Sequence, residues 1–460
     1  MRYLSLGDTD DISASCHHLT FGGTGLVLDA GMDPNQDGYA ALPPFELLRD
    51  RPVDHVVITH AHHDHLGALP VLAQEVPHAQ IHMSRPTALL AEMLLPSSAR
   101  LQKRRVREGS TDHAPVFDVE TAEALSYVYE TQLLDAPFDL RGLQAEGPLA
   151  GTFYHAGHTL GAVGLLLEGY EGGQRRRLFF TSDTSFRPQT ILPEADFPDG
   201  PVDVLMLEST LGADPEAEHT TRKSEEIRLG ESLAAVIARG GVALIPVFAL
   251  GRSQDVLALI DRYKRKGILP DDVPVYTAGS MRGIAEVYDK TRQSTPRLNP
   301  EFEVYGVEQE RLPRSGKRKD EALAKPGIFV VTSGMLFERT PSFDVARRIV
   351  SDERHGIFFV GFSKEGSPGE RLQLAAADGE PMTFDADEGP VPVRAQVERF
   401  RFSGHAHRRE LLQIVDRLSP TTVVLVHGET AAKEWMKENI EQAHPEITVV
   451  IPEQGEEIEV

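Results

Sequence analysis

Four histidines and one aspartate lie within six consecutive positions, directly after a short apolar run. The segment reads His60-Ala61-His62-His63-Asp64-His65, and two valines and an isoleucine precede Thr59. Neutral imidazole and carboxylate groups without thiolate suit zinc or a similar borderline metal. Four donors from one turn are too many for one open catalytic ion, because such an ion takes three protein ligands and keeps one position open. The segment therefore predicts a site for two metal ions.

The same segment lies between a strand and a helix. Residues 55–59 form a β-run, and Leu66, Leu69 and Leu72 follow at helical spacing, so the donors occupy a loop at the carboxyl end of a strand. Open α/β sheets place their functional sites at this end. A histidine-rich surface loop is the alternative that needs no metal.

The order of these donors, HxHxDH, resembles a motif of the metallo-β-lactamase superfamily. Residues 26–31, 153–161 and 179–183 are similar to three further motifs of that superfamily. The resemblance implies that His60, His62 and His158 hold a first ion and that Asp183 bridges to a second ion. It also implies that Asp29 accepts a hydrogen bond from a ligand imidazole.

Later segments resemble the β-CASP subgroup, the branch of the superfamily that cuts nucleic acids. Residues 422–429, 205–210 and 402–406 carry the likeness, which implies that His427 completes the second ion and that Glu208 braces His405. His405 would contact the phosphate or protonate the departing oxygen; a buried structural histidine is the alternative. The expected metal ligands are His60, His62, Asp64, His65, His158, Asp183 and His427, and the expected catalytic residues are Asp64, His405 and Glu208.

The resemblance covers essentially the whole chain and implies an α/β fold. The expected architecture is a metallo-β-lactamase αββα sandwich with an inserted α/β β-CASP domain. Helices and strands alternate between residues 223 and 360, which independently predicts a parallel sheet covered by helices. His405 and His427 follow this region, so the chain must return to the first domain. We expect boundaries at 1–207, 208–390 and 391–460, and a loop at 365–371.

The activity implied by the resemblance is that of a zinc-dependent ribonuclease. Such an enzyme would use two Zn²⁺ ions and a metal-activated hydroxide to hydrolyse RNA phosphodiester bonds, as an endonuclease, a 5′-exonuclease or both. Histidine at position 427 favours RNA, because DNA-processing members resemble one another in having an apolar residue there. The alternatives are a dinuclear hydrolase of a small ester or thioester, a DNA-directed β-CASP nuclease and a catalytically silent scaffold.

The net charge of the chain argues against a nucleic-acid substrate. The formal charge of −23 is more acidic than expected for a protein that holds a polyanion. Basic clusters at 100–107, 175–177 and 314–319 could contact phosphates, and solvated surface is the alternative for each of them.

Composition also bears on the cellular compartment. The single cysteine, Cys16, excludes an internal disulfide and fits a reducing cytoplasm. The first residues lack the basic lead and apolar core of a signal peptide, and the longest apolar run, around 242–250, is too short to span a bilayer. We expect a cytoplasmic protein with an RNA substrate, no membrane partner and no separate RNA-binding or dimerisation domain. Assembly into a homo-oligomer stays open.

Overall fold

The chain divides into two compact units. The structure is a computed structural model that describes residues 1–7, 13–313, 315–361, 363–385 and 389–460. The first unit contains Met1–Arg187, Glu194–Glu218 and His405–Val460, and the second contains Pro188–Pro193 and His219–Gly404. The second unit therefore interrupts the first along the sequence. The boundaries expected at 207/208 and 390/391 remain a prediction.

Strands and helices are numbered here in chain order within the described residues. The strands are β1 Arg2–Ser5, β2 His17–Phe21, β3 Thr24–Leu28, β4 His55–Ile58, β5 Gln80–Ser84, β6 Tyr129–Gln132, β7 Pro137–Asp139, β8 Ala150–His155, β9 Val163–Glu171, β10 Gln174–Phe180, β11 Val204–Glu208, β12 Val242–Pro246, β13 Val275–Thr277, β14 Glu310–Arg311, β15 Gly327–Val331, β16 Gly356–Phe359, β17 Gln396–Arg399, β18 Thr422–Val426, β19 Thr448–Val450 and β20 Glu457–Glu459. The α-helices are α1 His63–Leu66, α2 Leu69–Glu75, α3 Arg85–Arg107, α4 Val119–Ala124, α5 Arg222–Ala238, α6 Arg252–Arg265, α7 Met281–Lys290, α8 Lys317–Leu323, α9 Pro341–Ile349, α10 Pro368–Asp378, α11 Arg408–Leu418 and α12 Thr430–Ala443.

Two seven-stranded sheets form the first unit. Their strand orders are β20-β1-β2-β3-β4-β5-β6 and β19-β18-β11-β10-β9-β8-β7. Each sheet is mixed: β1 and β2 are antiparallel while β4 and β5 are parallel, and β9 and β10 are antiparallel while β11 and β18 are parallel. Antiparallel strands need only short turns, which accounts for the many short strands in this part of the sequence.

The two sheets pack face to face, and helices cover their outer faces. Leu165 and Leu167 of β9 lie in the core between the sheets together with Phe21 of β2. Leu166 lies on the opposite face of the same strand and packs in a cluster with α11 and α12, while α3 packs on β5 and β6. Side chains alternate along a strand, so a strand that is covered on both sides is apolar throughout. The predicted αββα sandwich is confirmed.

The second unit is built on a six-stranded sheet of order β14-β13-β15-β12-β16-β17. Every neighbouring pair in this sheet is parallel, as the alternation of helices and strands predicted. Helices α9 and α10 pack on one face, and α5 and α6 contact strands of the same sheet. The predicted parallel sheet flanked by helices is confirmed.

The loop expected at 365–371 is wrong in its second half. Helix α10 begins at Pro368, and the Ser367 side chain accepts a 3.3 Å hydrogen bond from the Glu370 backbone N–H. Serine at the N-cap followed by proline in the first turn is a helix-start signal, and it outweighs the turn tendency of the glycines on either side.

No helix in the described part of the chain combines the length and the apolar composition needed to cross a lipid bilayer.

Two half-buried arginines share one carboxylate in the second unit. Arg222 begins α5 and Arg252 begins α6, and their guanidinium nitrogens lie 2.6 Å and 3.0 Å from one oxygen of Asp255. The other oxygen accepts the Thr190 backbone N–H at 2.6 Å. Burial would raise the pKa of Asp255, but Arg222 and Arg252 lower it to about 2. The carboxylate is therefore ionised at neutral pH and pairs with both arginines, of which Arg222 also pairs with Glu226 at 3.0 Å.

Replacing Asp255 with alanine is expected to destabilise the protein by up to about 3–5 kcal/mol, because Arg252 loses its paired carboxylate while Arg222 keeps Glu226 at 3.0 Å. Urea unfolding of the full chain measures this change. Glu321, an exposed residue 3.8 Å from Lys317, supplies the control: Glu321→Ala should change stability by less than about 1 kcal/mol. Equal effects of the two substitutions would contradict a structural role for Asp255.

Candidate metal centre

Loops at strand ends in the first unit carry the candidate ligands. Strands β10, β11 and β18 are parallel neighbours, and Asp183, Glu208 and His427 lie at or just beyond their carboxyl ends. In the other sheet β4 ends at Ile58, shortly before His60. Parallel neighbours end at the same edge of a sheet, so residues far apart in sequence converge at one place.

The first cluster contains His60, His62, His158 and Asp183. His62 Nδ1 lies 3.2 Å from His60 Nε2 and 3.0 Å from His158 Nε2. Oδ2 of Asp183 lies 3.6 Å from His60 Nε2 and 3.5 Å from His158 Nε2. Two ligand atoms at tetrahedral positions around one zinc ion are separated by about 3.4 Å. The four donors therefore fit a single tetrahedral ion.

One ring nitrogen of His62 faces two others. Each nitrogen of a neutral imidazole is either a donor with one proton or an acceptor with one lone pair, so His62 Nδ1 forms a full hydrogen bond with the Nε2 atom of either His60 or His158 and not with both. Burial lowers the pKa of His60 well below its usual value, and the nearby His65 lowers it further. His60 therefore presents a neutral lone pair, which is the form that binds a metal.

The second cluster contains Asp64, His65 and His427. His427 Nε2 lies 3.5 Å from Oδ2 of Asp64, and His65 Nε2 lies 4.0 Å from the same oxygen. Both Nε2 atoms are buried and have no hydrogen-bond partner among the described residues. Buried polar atoms normally have a partner, and a cation between these donors would provide one.

Asp183 lies between the two clusters. Its Oδ2 approaches His65 Nε2 to 3.4 Å as well as the first cluster, and its Oδ1 lies 3.4 Å from His427 Nδ1. Burial would raise the pKa of Asp183, but His427 and His65 hold it well below its usual value. An ionised carboxylate in this position can contact two cations at once.

The backbone around the histidine segment is held by a neighbouring loop. The Ser15 N–H donates to the Asp64 carbonyl oxygen at 2.7 Å, and the Ala30 N–H donates to the His65 carbonyl oxygen at 2.8 Å. A Cβ atom at Gly31 would lie 1.8 Å from the Asp64 carbonyl oxygen. Only glycine permits this close approach, so the segment from Ser15 to Gly31 fixes the position of the donor loop.

Hydrogen bonds to the far side of each ring orient the second cluster. His65 Nδ1 lies 2.8 Å from Oδ2 of Asp29, as the resemblance implied for Asp29. His427 Nδ1 lies 3.0 Å from the Thr210 hydroxyl. Such contacts fix the tautomer and direction of a ligand imidazole. Sequence reasoning missed Thr210, since a hydroxyl residue after a strand is too common a pattern to indicate the histidine that it serves.

His405 and Glu208 lie together beside the clusters. His405 Nδ1 is 3.2 Å from each carboxylate oxygen of Glu208, and the His405 ring centroid is 4.5 Å from that of His158. Glu208 is fully buried and accepts the backbone N–H groups of Thr184 and Thr210 at 2.9 Å and 3.2 Å. The side chain of His405 remains 17% exposed, so the braced imidazole is partly accessible to solvent.

The carboxylate also sets the protonation of His405. Burial would lower the pKa of His405, but the charge of Glu208 raises it to about 9. In the metal-free chain the imidazole therefore carries a proton at neutral pH, as a proton donor must.

The structure brings together every residue that the sequence singled out for this site. The seven candidate ligands form the two clusters, and His405 contacts Glu208. Their roles as metal ligands and catalytic groups remain predictions.

Three family models match the chain along its length. They describe the metallo-β-lactamase superfamily over residues 10–227, the Beta-Casp domain over 253–372 and the Zn-dependent metallo-hydrolase RNA specificity domain over 390–452. The RNase J-like protein of Methanocaldococcus jannaschii is 30% identical over 92% of this chain and 91% of its own length. The chain belongs to the β-CASP branch of the metallo-β-lactamase superfamily. Its family is one of zinc-dependent metallo-hydrolases.

Other similar proteins are longer. Endoribonuclease YSH1 of Eremothecium gossypii is 29% identical over 93% of this chain and 55% of its own length, so the chain spans about half of that relative. A crystal structure of a protein of unknown function from Enterococcus faecalis V583 aligns over 99% of both chains with a TM-score of 0.55 and 15% identity. That likeness concerns the fold alone.

Substitutions in the two clusters should separate metal binding from proton transfer. His427→Ala is expected to reduce occupancy of the second cluster, because that cluster loses one of its ligands. His405→Ala should leave metal content unchanged, because His405 belongs to neither cluster. Elemental analysis of the purified variants measures zinc per chain. Equal loss of zinc in both variants would contradict this division of roles.

Proposed function

We propose that this protein is a ribonuclease that hydrolyses RNA phosphodiester bonds with two zinc ions. The observation that carries the proposal is the set of seven donors in two clusters, in which Asp183 of the first cluster also lies 3.4 Å from His65 and from His427 of the second. Two further observations support RNA as the substrate: the match to an RNA specificity domain and relatives named as ribonucleases. The same relatives give no support to a small-ester hydrolase, a DNA-directed nuclease or a silent scaffold.

The donors divide naturally between the two proposed ions. His60, His62 and His158 would hold the first, Asp64, His65 and His427 the second, and Asp183 would contact both. A zinc pair of this kind supplies a nucleophile from water at neutral pH and stabilises negative charge on the phosphate. Asp64 is the most exposed of the carboxylates in the two clusters, with 23% of its side chain accessible, so it would be accessible to a substrate.

His405 would act on the leaving group. In the metal-free chain it carries a proton beside both clusters, and cleavage of a phosphodiester bond leaves an oxygen that must gain a proton. Glu208 would keep the imidazole in place and favour its protonated form. Its buried position and its two backbone hydrogen bonds hold the carboxylate rigid, so the imidazole is directed without a change of side-chain conformation.

The basic clusters contribute less to this proposal than the sequence suggested. Arg105 forms two hydrogen bonds with Asp37, at 2.7 Å and 3.0 Å, and Arg176 pairs with Asp203 at 2.7 Å. Lys319 is buried and lies 2.6 Å from Asp344. Arg314 lies outside the described residues. Acidic partners neutralise much of these clusters, so phosphate would be held chiefly at the metal centre and by His405.

A cytoplasmic location is also part of the proposal. The only cysteine in the sequence is Cys16, which is buried, so the fold depends on no internal disulfide. This cysteine usage is typical of reducing compartments.

End-labelled RNA and DNA of identical sequence, incubated with the zinc-loaded protein and resolved on a gel, test the substrate directly. We expect cleavage of RNA and little cleavage of DNA. Comparison of 5′-labelled with 3′-labelled RNA separates internal cuts from stepwise release of nucleotides.

Two variants serve as controls for that assay. His405→Ala should lower kcat by roughly 10²–10⁴, and Asp64→Ala should abolish cleavage because the second cluster loses a ligand. Intact RNA together with rapid hydrolysis of a small ester would overturn the ribonuclease proposal in favour of the small-molecule hydrolase.

A further inference from the structure

Three non-glycine residues around the metal centre have left-handed backbones: Asp29 with φ 61°, Ser182 with φ 50° and His427 with φ 47°. L-residues rarely adopt this conformation, and it persists where surrounding contacts impose it, often at functional sites. Asp29 contacts His65, and His427 belongs to the second cluster. Ser182 directly precedes Asp183 and is neither a candidate ligand nor a contact of one of the ligand imidazoles named above.

The Ser182 hydroxyl has one specific partner. It donates to Thr59 Oγ1 at 2.7 Å. Ser182 is 1% exposed and Thr59 is fully buried. Thr59 Oγ1 in turn lies 2.9 Å from each carboxylate oxygen of Asp29 and 3.2 Å from His60 Nδ1. The Thr59 hydroxyl thus joins the loops that carry His60 and Asp183.

Counting protons fixes the direction of each bond. A threonine hydroxyl has one proton and two lone pairs. Its proton goes to the Asp29 carboxylate, which can only accept, and its lone pairs receive the protons of Ser182 Oγ and His60 Nδ1. His60 therefore holds its proton on Nδ1, and its Nε2 lone pair faces His62 and the first cluster.

Asp29 repeats this arrangement for the second cluster. The same carboxylate that takes the Thr59 proton accepts from His65 Nδ1 at 2.8 Å, which directs His65 Nε2 toward the second cluster. One chain of hydrogen bonds, Ser182 to Thr59 to Asp29, therefore reaches an imidazole of each cluster.

We propose that Ser182 and Thr59 are positioning residues that orient His60 and His65 together. This hydroxyl relay, Ser182, Thr59 and Asp29, presets the ligand imidazoles of both metal positions before a metal binds. Ser182 donates to one Thr59 lone pair, so the Thr59 proton stays directed at Asp29. The same hydrogen bond joins the Asp183 loop to the end of β4. The inference rests on the proposed metal centre and assigns the work of holding it to two residues that are not ligands.

The substitution Ser182→Gly separates the effect of losing the hydroxyl from the effect of changing the backbone conformation. Glycine adopts a left-handed conformation readily, so Ser182→Gly removes the hydrogen bond without straining the chain. Ser419 offers a matched control in the same unit. It ends α11 with φ 40°, and its hydroxyl bonds to the Asp416 carbonyl oxygen at 3.1 Å. Ser419→Gly removes a serine hydroxyl from the same backbone conformation, outside the relay.

The experiment is a zinc titration of the metal-free full chain against a chromophoric chelator, together with thermal unfolding of the metal-free protein. Loss of a hydrogen bond behind a ligand typically weakens metal binding by about 10–100-fold. Ser182 bonds to Thr59 and not to a ligand itself, so Ser182→Gly should weaken zinc binding by up to about 10-fold, while Ser419→Gly binds zinc as the wild type does. The metal-free Tm of Ser182→Gly should not fall below that of Ser419→Gly.

Substitutions of Thr59 test the second link of the relay. Thr59→Ser keeps the hydroxyl and should keep wild-type zinc affinity, whereas Thr59→Val keeps the shape but loses the hydroxyl and should weaken binding. Adding Ser182→Gly to Thr59→Val should cause little further loss, because residues in one network are not additive. Full additivity of the two losses would contradict a relay.

Other results would overturn the inference. Wild-type zinc affinity in Ser182→Gly would leave the hydroxyl without a role. Equal losses in Ser182→Gly and Ser419→Gly, or a parallel fall in the metal-free Tm of Ser182→Gly, would assign the effect to the backbone or to folding. A wild-type protein that binds no zinc would instead contradict the proposed metal centre itself. Failure of the relay and failure of the metal centre are therefore distinguishable.

Discussion

Seven buried or half-buried imidazole and carboxylate side chains converge in two clusters in the first unit, and a cation in each cluster would be within reach of all its donors. His60, His62 and His158 bring ring nitrogens within 3.2 Å of a neighbour, a spacing that fits coordination and that mutual hydrogen bonds cannot satisfy for all three. The fold supplies the rigidity that this arrangement needs. Two packed sheets place loops from both at one edge, and the apolar core between them prevents the loops from separating.

Residues that contact the candidate ligands and His405 fix the orientation of these side chains. Asp29 orients His65, and the fully buried Glu208 orients His405 and favours its protonated form. Gly31 allows the chain to approach the Asp64 backbone so closely that the donor loop has one position. Each of these contacts fixes the direction of a lone pair or a proton, which is what hydrolysis of a phosphodiester bond requires from the protein in addition to the metal.

The sequence predicted the donors better than it predicted their supports. The histidine segment is local, so its chemistry can be read from six positions, and the resemblance located His158, Asp183 and His427. Contacts between distant residues leave no such pattern: the Ser182 hydroxyl reaches Thr59 across 123 positions, and Arg105 finds Asp37 across 68. From the sequence alone the basic clusters are therefore interpreted as possible phosphate contacts, because their acidic partners are distant in sequence. The start of α10 was missed for another reason, since its glycines favoured a turn while Ser367 supplied the cap.

Anomalous diffraction at the zinc edge, from crystals of the zinc-loaded full chain, tests the central claim most directly. We expect two peaks about 3.5–4 Å apart, the usual separation in two-metal sites. One peak should lie among His60, His62 and His158, the other among Asp64, His65 and His427, with Asp183 beside both. A single peak at full occupancy, or zinc bound away from these residues in active protein, would contradict the dinuclear centre.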